Sequence, residues 1–175
     1  STYNIQVHTL HIHTGSEIKE ASVFIQGVQF LLSLAPSFPQ LKVIDLGGGF
    51  KVPYKPTEKG TDLNQISQSL SELVEAHYKN TGQQLQAWFE PGKFLVCEAG
   101  YLLTKVNVVK DNGDYAFAGV DTGLNHLIRP MLYDAYHEIE NCSNPQGELK
   151  KYQVVGNICE TDTLGANRDL PLIRE

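Results

Sequence analysis

Apolar and polar residues alternate over 5–13, IQVHTLHIH, which predicts a β-strand. From residue 15 the period lengthens. Ile18, Ala21, Phe24, Ile25, Val28, Leu31 and Leu32 fall on one face of a helix over 15–35, with Ser16 as its expected N-cap and Glu17 favourable beside the N-terminal dipole. PSFPQ stops that helix. LKVIDLGGGF (41–50) is a near-continuous apolar run, the pattern of a strand buried in a parallel sheet. After the loop KVPYKPTEKG the helical period returns over 61–82. Leu63, Ile66, Leu70, Leu73, Val74 and His77 form its stripe, Thr61 or Asp62 caps it, and Gly82 ends it. LQAWFE (85–90) reads as a third strand and PGKFLVCEAG (91–100) as a short helix. Strand, helix, strand, helix, strand at these intervals predicts βαβ units around a parallel sheet.

Past Gly100 the texture changes. YLLTKVNVVKDNGDYAFAGVDTG is two strand-like runs joined by Asp111-Asn112-Gly113-Asp114, a hairpin signal. KYQVVGNICE (151–160) is another strand, and no long amphipathic helix follows. The expected fold is therefore α/β over residues 1–98 and β-rich over 99–175.

Composition narrows the class. The formal charge is −6 with no basic run, which argues against nucleic-acid binding through phosphate neutralisation. No apolar stretch is long enough to span a bilayer, so no membrane partner is expected. Cys97, Cys142 and Cys159 are odd in number and lack CxxC spacing, which argues against a disulfide framework or structural zinc and favours a reducing, cytoplasmic setting. The chain opens on STYNIQVHTL, without Met, and stops at LPLIRE without a closing element. It is expected to be a piece of something longer.

Candidate chemistry gathers at three strand ends, where ligands collect in parallel α/β folds. At HIHTGS, His11 and His13 share a strand face and Gly15-Ser16 follow. That suits an anion, or a zinc ion if further ligands exist, or simply two partly buried histidines and a turn. At DLGGGF, three glycines permit close backbone approach and positive φ, which suits a phosphate or an ordinary tight turn. A methyltransferase-type motif would want a further glycine where Lys51 stands, and a GxGxxG is absent. At FEPGK, Glu90 ends a strand, Pro91-Gly92 turns it, and Lys93 offers a cation. Taken alone, Lys93 reads as a surface lysine, Cys159 as a buried strand cysteine and Arg129 as a surface ion-pair partner.

LHIHTGS, VIDLGGGF, EPGKFLV, DTGLNHLIRPMLYDAYH and VVGNICETDTL, in this order over almost the whole chain, resemble the fold-type III pyridoxal 5'-phosphate (PLP) decarboxylases. RPMLYDAYH followed by CE points to the branch acting on diaminopimelate. The resemblance implies the C-terminal part of a PLP-binding (β/α)8 barrel followed by part of a β-rich domain. It implies PLP as cofactor and decarboxylation of meso-diaminopimelate to L-lysine, a step of lysine biosynthesis. It also implies a homodimer with shared active sites and no metal.

Residue by residue, the resemblance places His13 against the cofactor ring and Ser16, Gly47, Gly48, Gly49 and Gly92 at its phosphate. It sets Glu90 against the pyridine nitrogen, where a carboxylate keeps the ring protonated. It assigns Lys93, Arg129, Tyr133 and Glu160 to substrate, Arg129 and Tyr133 meeting the distal carboxylate and Glu160 the distal ammonium. Cys159, with Glu160, takes a catalytic place as the proton donor to the substrate carbon. The family pattern has Arg at the position of Lys93, so a planar two-pronged grip is replaced by a point charge. The lysine that carries the cofactor in this family has no counterpart here, so the chain alone is expected to be inactive. The alternatives are a related decarboxylase acting on ornithine, arginine or carboxynorspermidine, and a non-catalytic binding module of the same fold.

Overall fold

The computed structural model describes residues 3–174. They form two compact units. The first runs to Gly100 and is interrupted at Tyr54–Pro56; the second consists of Tyr54–Pro56 and the chain from Tyr101 onward.

In the first unit, β1 (Thr9–His11), β2 (Val43–Asp45) and β3 (Gln86–Trp88) make a parallel sheet in that order. The register aligns Leu10, Ile44 and Ala87 on one row and His11, Asp45 and Trp88 on the next. Helices α1 (Ala21–Leu34) and α2 (Leu63–Thr81) pack against one another. Phe24, Val28 and Leu31 of α1 join Ile66 and Leu70 of α2 over Ile44 and Leu46, with Leu10 and Ala87 packed against the cluster. The sheet row that faces this core is apolar, whereas the neighbouring row carries His11 and Asp45.

The cap of α2 follows from its sequence. Asp62 accepts a hydrogen bond from the Gln65 N–H (2.9 Å), and Gly82 closes the helix at φ 71°. Thr61 does other work: its hydroxyl donates to the Ile18 carbonyl (2.5 Å) and accepts from the Lys51 N–H (2.7 Å).

The start of α1 differs from expectation. The helix begins at Ala21 with Glu20 at its cap position and no side-chain capping bond, so Ser16 is not the N-cap. The residues expected in its first turn are spent on a tether. Ile18 pairs in parallel with Phe50 and donates its N–H to the Gly49 carbonyl (2.9 Å). A short α3 (Gly92–Val96) closes the unit.

In the second unit, β4 (Val106–Asp111), β5 (Ala116–Val120), β6 (Leu149–Val155) and β7 (Thr163–Pro171) form a mixed sheet in chain order. The β4–β5 and β6–β7 pairs are antiparallel, and β5–β6 is parallel. The first hairpin turns where expected. Gly113 takes φ 89°, and Asp111 and Asn112 accept from the N–H groups of Gly113 (2.9 Å) and Tyr115 (2.8 Å). Ala118, Val120, Tyr152, Val154, Leu164 and Leu170 form the core.

Three features depart from the sequence reading here. The strand expected over 151–160 starts at Leu149 and stops at Val155, leaving residues 156–160 as a turn. Two further elements were not expected, the helical turn α4 (Arg129–Tyr133) and β7, whose pattern is broken by a polar Asn167 at φ 52°.

Candidate active site

The three strand ends of the first unit meet at the glycine triplet. The Ile12 N–H donates to the Asp45 carbonyl (2.9 Å), Leu46 to Trp88 (2.9 Å) and Glu90 to Gly47 (2.8 Å), which carries the sheet ladder past the strands themselves. Each glycine is then needed for a different neighbour. A Cβ on Gly47 would lie 2.8 Å from His13 Nδ1, so the imidazole sits directly over that α-carbon. A Cβ on Gly48 would run into the Glu90 carbonyl oxygen, and one on Gly49 into the Gly15 carbonyl oxygen. Gly15, Gly47 and Gly49 also take φ of 109°, 64° and 86°, a region side chains rarely adopt. The triplet is a hub with no room for any side chain.

Aromatic packing holds the hub from behind. Phe50 follows the triplet and Phe89 precedes Glu90. Phe24 of α1 lies 5.5 Å from Phe50 and 6.2 Å from Phe89, nearly parallel to the latter, and Phe94 meets Phe50 edge-on at 5.9 Å. The carboxylate that ends this strand is thereby set on a packed base.

Around the hub, His13, Ser16, Glu90 and Gly92 are exposed. His11 Nε2 lies 3.8 Å from Glu90 Oε2. The ligand atoms of His11, Asp45 and Glu90 all fall within 4.8 Å of one another. The zinc reading had paired His11 with His13; the fold joins His11 to the two carboxylates instead. Asp45 is also engaged with the hub, accepting from the Gly47 N–H (3.0 Å). Alternation put both histidines on one strand face, but β1 ends at His11, so His13 lies beyond the strand.

Lys93 is not presented alone. It pairs with Glu17, which also receives Lys51 Nζ at 3.2 Å, and Lys51 pairs in turn with Glu58 (2.9 Å). Lys51 is almost fully buried in this network. Glu17, expected to favour a helix dipole, sits instead at φ 60° as a bridge between the two lysines.

The second unit holds the other group of candidates. Arg129 opens α4. Its Nη2 donates to the Tyr54 hydroxyl (3.2 Å), and its guanidinium lies over the rings of Tyr54 (5.8 Å) and Tyr133 (5.5 Å). Tyr133 is thus a neighbour of Arg129 as well as an exposed group. The Tyr54 ring also meets His137 at 6.3 Å. Burial, with Arg129 and Arg168 nearby, pushes the His137 pKa below its ordinary value. Cys159 and Glu160 are exposed in the turn after β6, so Cys159 is not a buried strand residue. Tyr54 is the residue that sequence reasoning left without a site role. The proline-rich loop around Tyr54 carries no signal that would have marked it.

The fold thus brings together a glycine triplet, the imidazole of His13 and the Glu90 segment at neighbouring strand ends. Over residues 5–175 the chain matches the family described as pyridoxal-dependent decarboxylase, C-terminal sheet domain, and it belongs to that family. It is 35% identical to the diaminopimelate decarboxylase of Methanothermobacter thermautotrophicus, over 95% of this chain and 40% of that protein. It is 36% identical to that of Vibrio cholerae, over 97% and 40%. The crystal structure of diaminopimelate decarboxylase from Helicobacter pylori complexed with L-lysine superposes with a TM-score of 0.84 at 30% identity, over 96% of this chain and 41% of that one. The chain therefore spans about two fifths of the length of these relatives. Among the described residues no helix is long and apolar enough to cross a membrane.

Proposed function

We propose that this chain is the part of a diaminopimelate decarboxylase that holds the ring and phosphate of PLP and recognises the far end of the substrate. The observation that carries the reading is the convergence of His13, Gly47–Gly49 and Glu90 on one hub. The residues fit the cofactor. Three glycines packed this closely on neighbouring backbone, two of them at positive φ, form a turn whose N–H groups suit a phosphate. Ser16 and Gly92 lie at the two flanking strand ends and complete the phosphate seat. His13 would cover one face of the ring.

When bound, PLP supplies a sink for the electrons left behind as CO₂ departs. Glu90 would make that sink effective by holding a proton on the pyridine nitrogen, with His11 Nε2 3.8 Å from its carboxylate. The lysine that bonds to the cofactor is assigned to the part of the protein outside this chain, since no stretch here matches the family's lysine-bearing strand; Lys51 and Lys93 are engaged with carboxylates. In unit two, Arg129 binds the distal carboxylate of a diamino diacid. Tyr54 and Tyr133 hold its guanidinium in place. Glu160 takes the distal ammonium and Cys159 returns a proton to the substrate carbon, a task suited to a thiol because thiols ionise not far above neutral pH. Lys93 acts through its pair with Glu17, at the edge of the phosphate seat. We further assign the Cys159–Glu160 turn to the active site of a partner protomer in a homodimer, and the first unit to a (β/α)8 barrel in a cytoplasmic enzyme.

The test is decarboxylation by the full-length protein with PLP. Lysine and CO₂ should form from meso-diaminopimelate. Arg129→Ala should lower kcat/KM for the diacid by about a hundredfold or more, the order expected for losing charge-assisted bonds to a carboxylate, and should spare a monoacid substrate. Preference for ornithine or arginine in the unsubstituted protein would refute the substrate assignment.

A further inference from the structure

Cys159 and Glu160 sit in an exposed turn, yet both tasks assigned to them require a fixed position. The second unit contains a device that fixes it. Asp162 is a charged residue only 6% exposed. Its Oδ1 accepts the Leu124 N–H at 2.7 Å, and its Oδ2 faces the Ile158 N–H at 3.5 Å. Its own carbonyl accepts the Gly156 N–H at 2.7 Å. Two glycines make the space for the carboxylate: a Cβ on either Gly123 or Gly156 would collide with Oδ2. Asn157 adds two further ties, donating its N–H to the Thr122 carbonyl (3.1 Å) and its side-chain amide to that of Asp121 (3.2 Å).

Residues 121–124 and 156–162 are thus laced around one buried carboxylate. From the first segment the chain continues to Arg129; within the second stand Cys159 and Glu160. A buried carboxylate deprived of its donors is costly, so this arrangement tolerates few alternatives.

We propose that Asp162 is a positioning residue, the brace that holds the Cys159–Glu160 turn in register with the loop leading to Arg129. Its consequence for turnover rests on the decarboxylase reading above; the brace itself does not. With Asp162 in place, the ammonium-binding Glu160 and the proton-donating Cys159 are presented as a unit. Without its carboxylate, the turn keeps its main-chain bond from Gly156 and the ties through Asn157 but loses its hold on the Leu124 segment and its set position.

The test uses the full-length protein with PLP, its unsubstituted form, Asp162→Ala, Asp162→Asn, Gly123→Ala and the double variant Gly123→Ala/Asp162→Ala. Amide hydrogen exchange in Asp162→Ala should speed up about tenfold or more in segments 121–127 and 156–162 and stay unchanged in β4 and β5. Asp162→Asn keeps an acceptor for the Leu124 N–H and should restore much of the protection. Gly123→Ala should loosen the same segments alone but add nothing in the Asp162→Ala background, where its new methyl finds space. Turnover of diaminopimelate should fall about a hundredfold in Asp162→Ala with PLP still bound, the order expected for a reacting group displaced by about an ångström, and Asp162→Asn should recover part of it. Unchanged exchange in both segments would overturn the brace, as would additive losses in the double variant. Loosened segments with undiminished turnover would overturn its positioning role. Loosened segments in a protein whose unsubstituted form turns over no diaminopimelate would refute the decarboxylase reading, and with it that role, while leaving the brace standing.

Discussion

Gly48 shows how narrowly the hub is specified. Its φ is not in the left-handed region, so the backbone alone would accept alanine; the Glu90 carbonyl would not. Because that obstacle is backbone, Gly48→Ala must push the ends of β2 and β3 apart. It should destabilise the first unit by about 2 kcal/mol or more, read from denaturant unfolding. At the other chemical extreme stands His137. Its imidazole is partly buried, its Nε2 lacks a hydrogen-bond partner, and Arg129 and Arg168 disfavour a second positive charge. Its pKa in the folded state lies below the ordinary 6.5. The unfolded chain therefore takes up a proton in a range where the folded chain resists one, and stability is lost as pH falls through about 6.5 towards the folded value. His137→Leu should flatten that part of the stability–pH curve, measured by unfolding between about pH 5 and about pH 7.5. Of these residues, the glycines announced themselves as a triplet, but which neighbour each one accommodates did not. Contacts between Gly48 and Glu90, or between Asp162 and Gly123, span 42 and 39 positions and leave no local trace.

Elements were legible where local chemistry decides them. α2 has a stripe, an aspartate cap and a terminal glycine, and it forms where the pattern put it. Asp62→Ala should cost about 1 kcal/mol, measured by thermal unfolding, because it strands the Gln65 N–H. The hairpin between β4 and β5 was equally plain, since Asp111, Asn112 and Gly113 fix the turn by their own hydrogen bonds. The start of α1 was misread because Ser16 and Glu17 satisfy a capping rule while a longer-range demand, the pairing of Ile18 with Phe50, takes precedence. β7 was missed because Asn167, Arg168 and Asp169 interrupt its alternation, although Gln153 and Lys151 across the ladder meet Asn167 and Asp169. The end of β6 was set too late for a related reason. Beyond Val155, an apolar Ile158 and a cysteine look strand-like, but Asp162 turns the chain.

At the scale of the whole molecule, the family match gives one cofactor class, while the chain covers about two fifths of its relatives. The family motifs were readable because they sit at strand ends in fixed order; the ion pairing of Lys93 with Glu17 was not, since the two lie 76 positions apart. The account stands or falls on where PLP binds. A crystal structure of the full-length protein grown with PLP should show the phosphate against Gly47–Gly49, the ring beside His13, and the pyridine nitrogen within hydrogen-bonding distance of Glu90. Density for PLP away from this hub, or a hub that stays empty at saturating PLP, would contradict it.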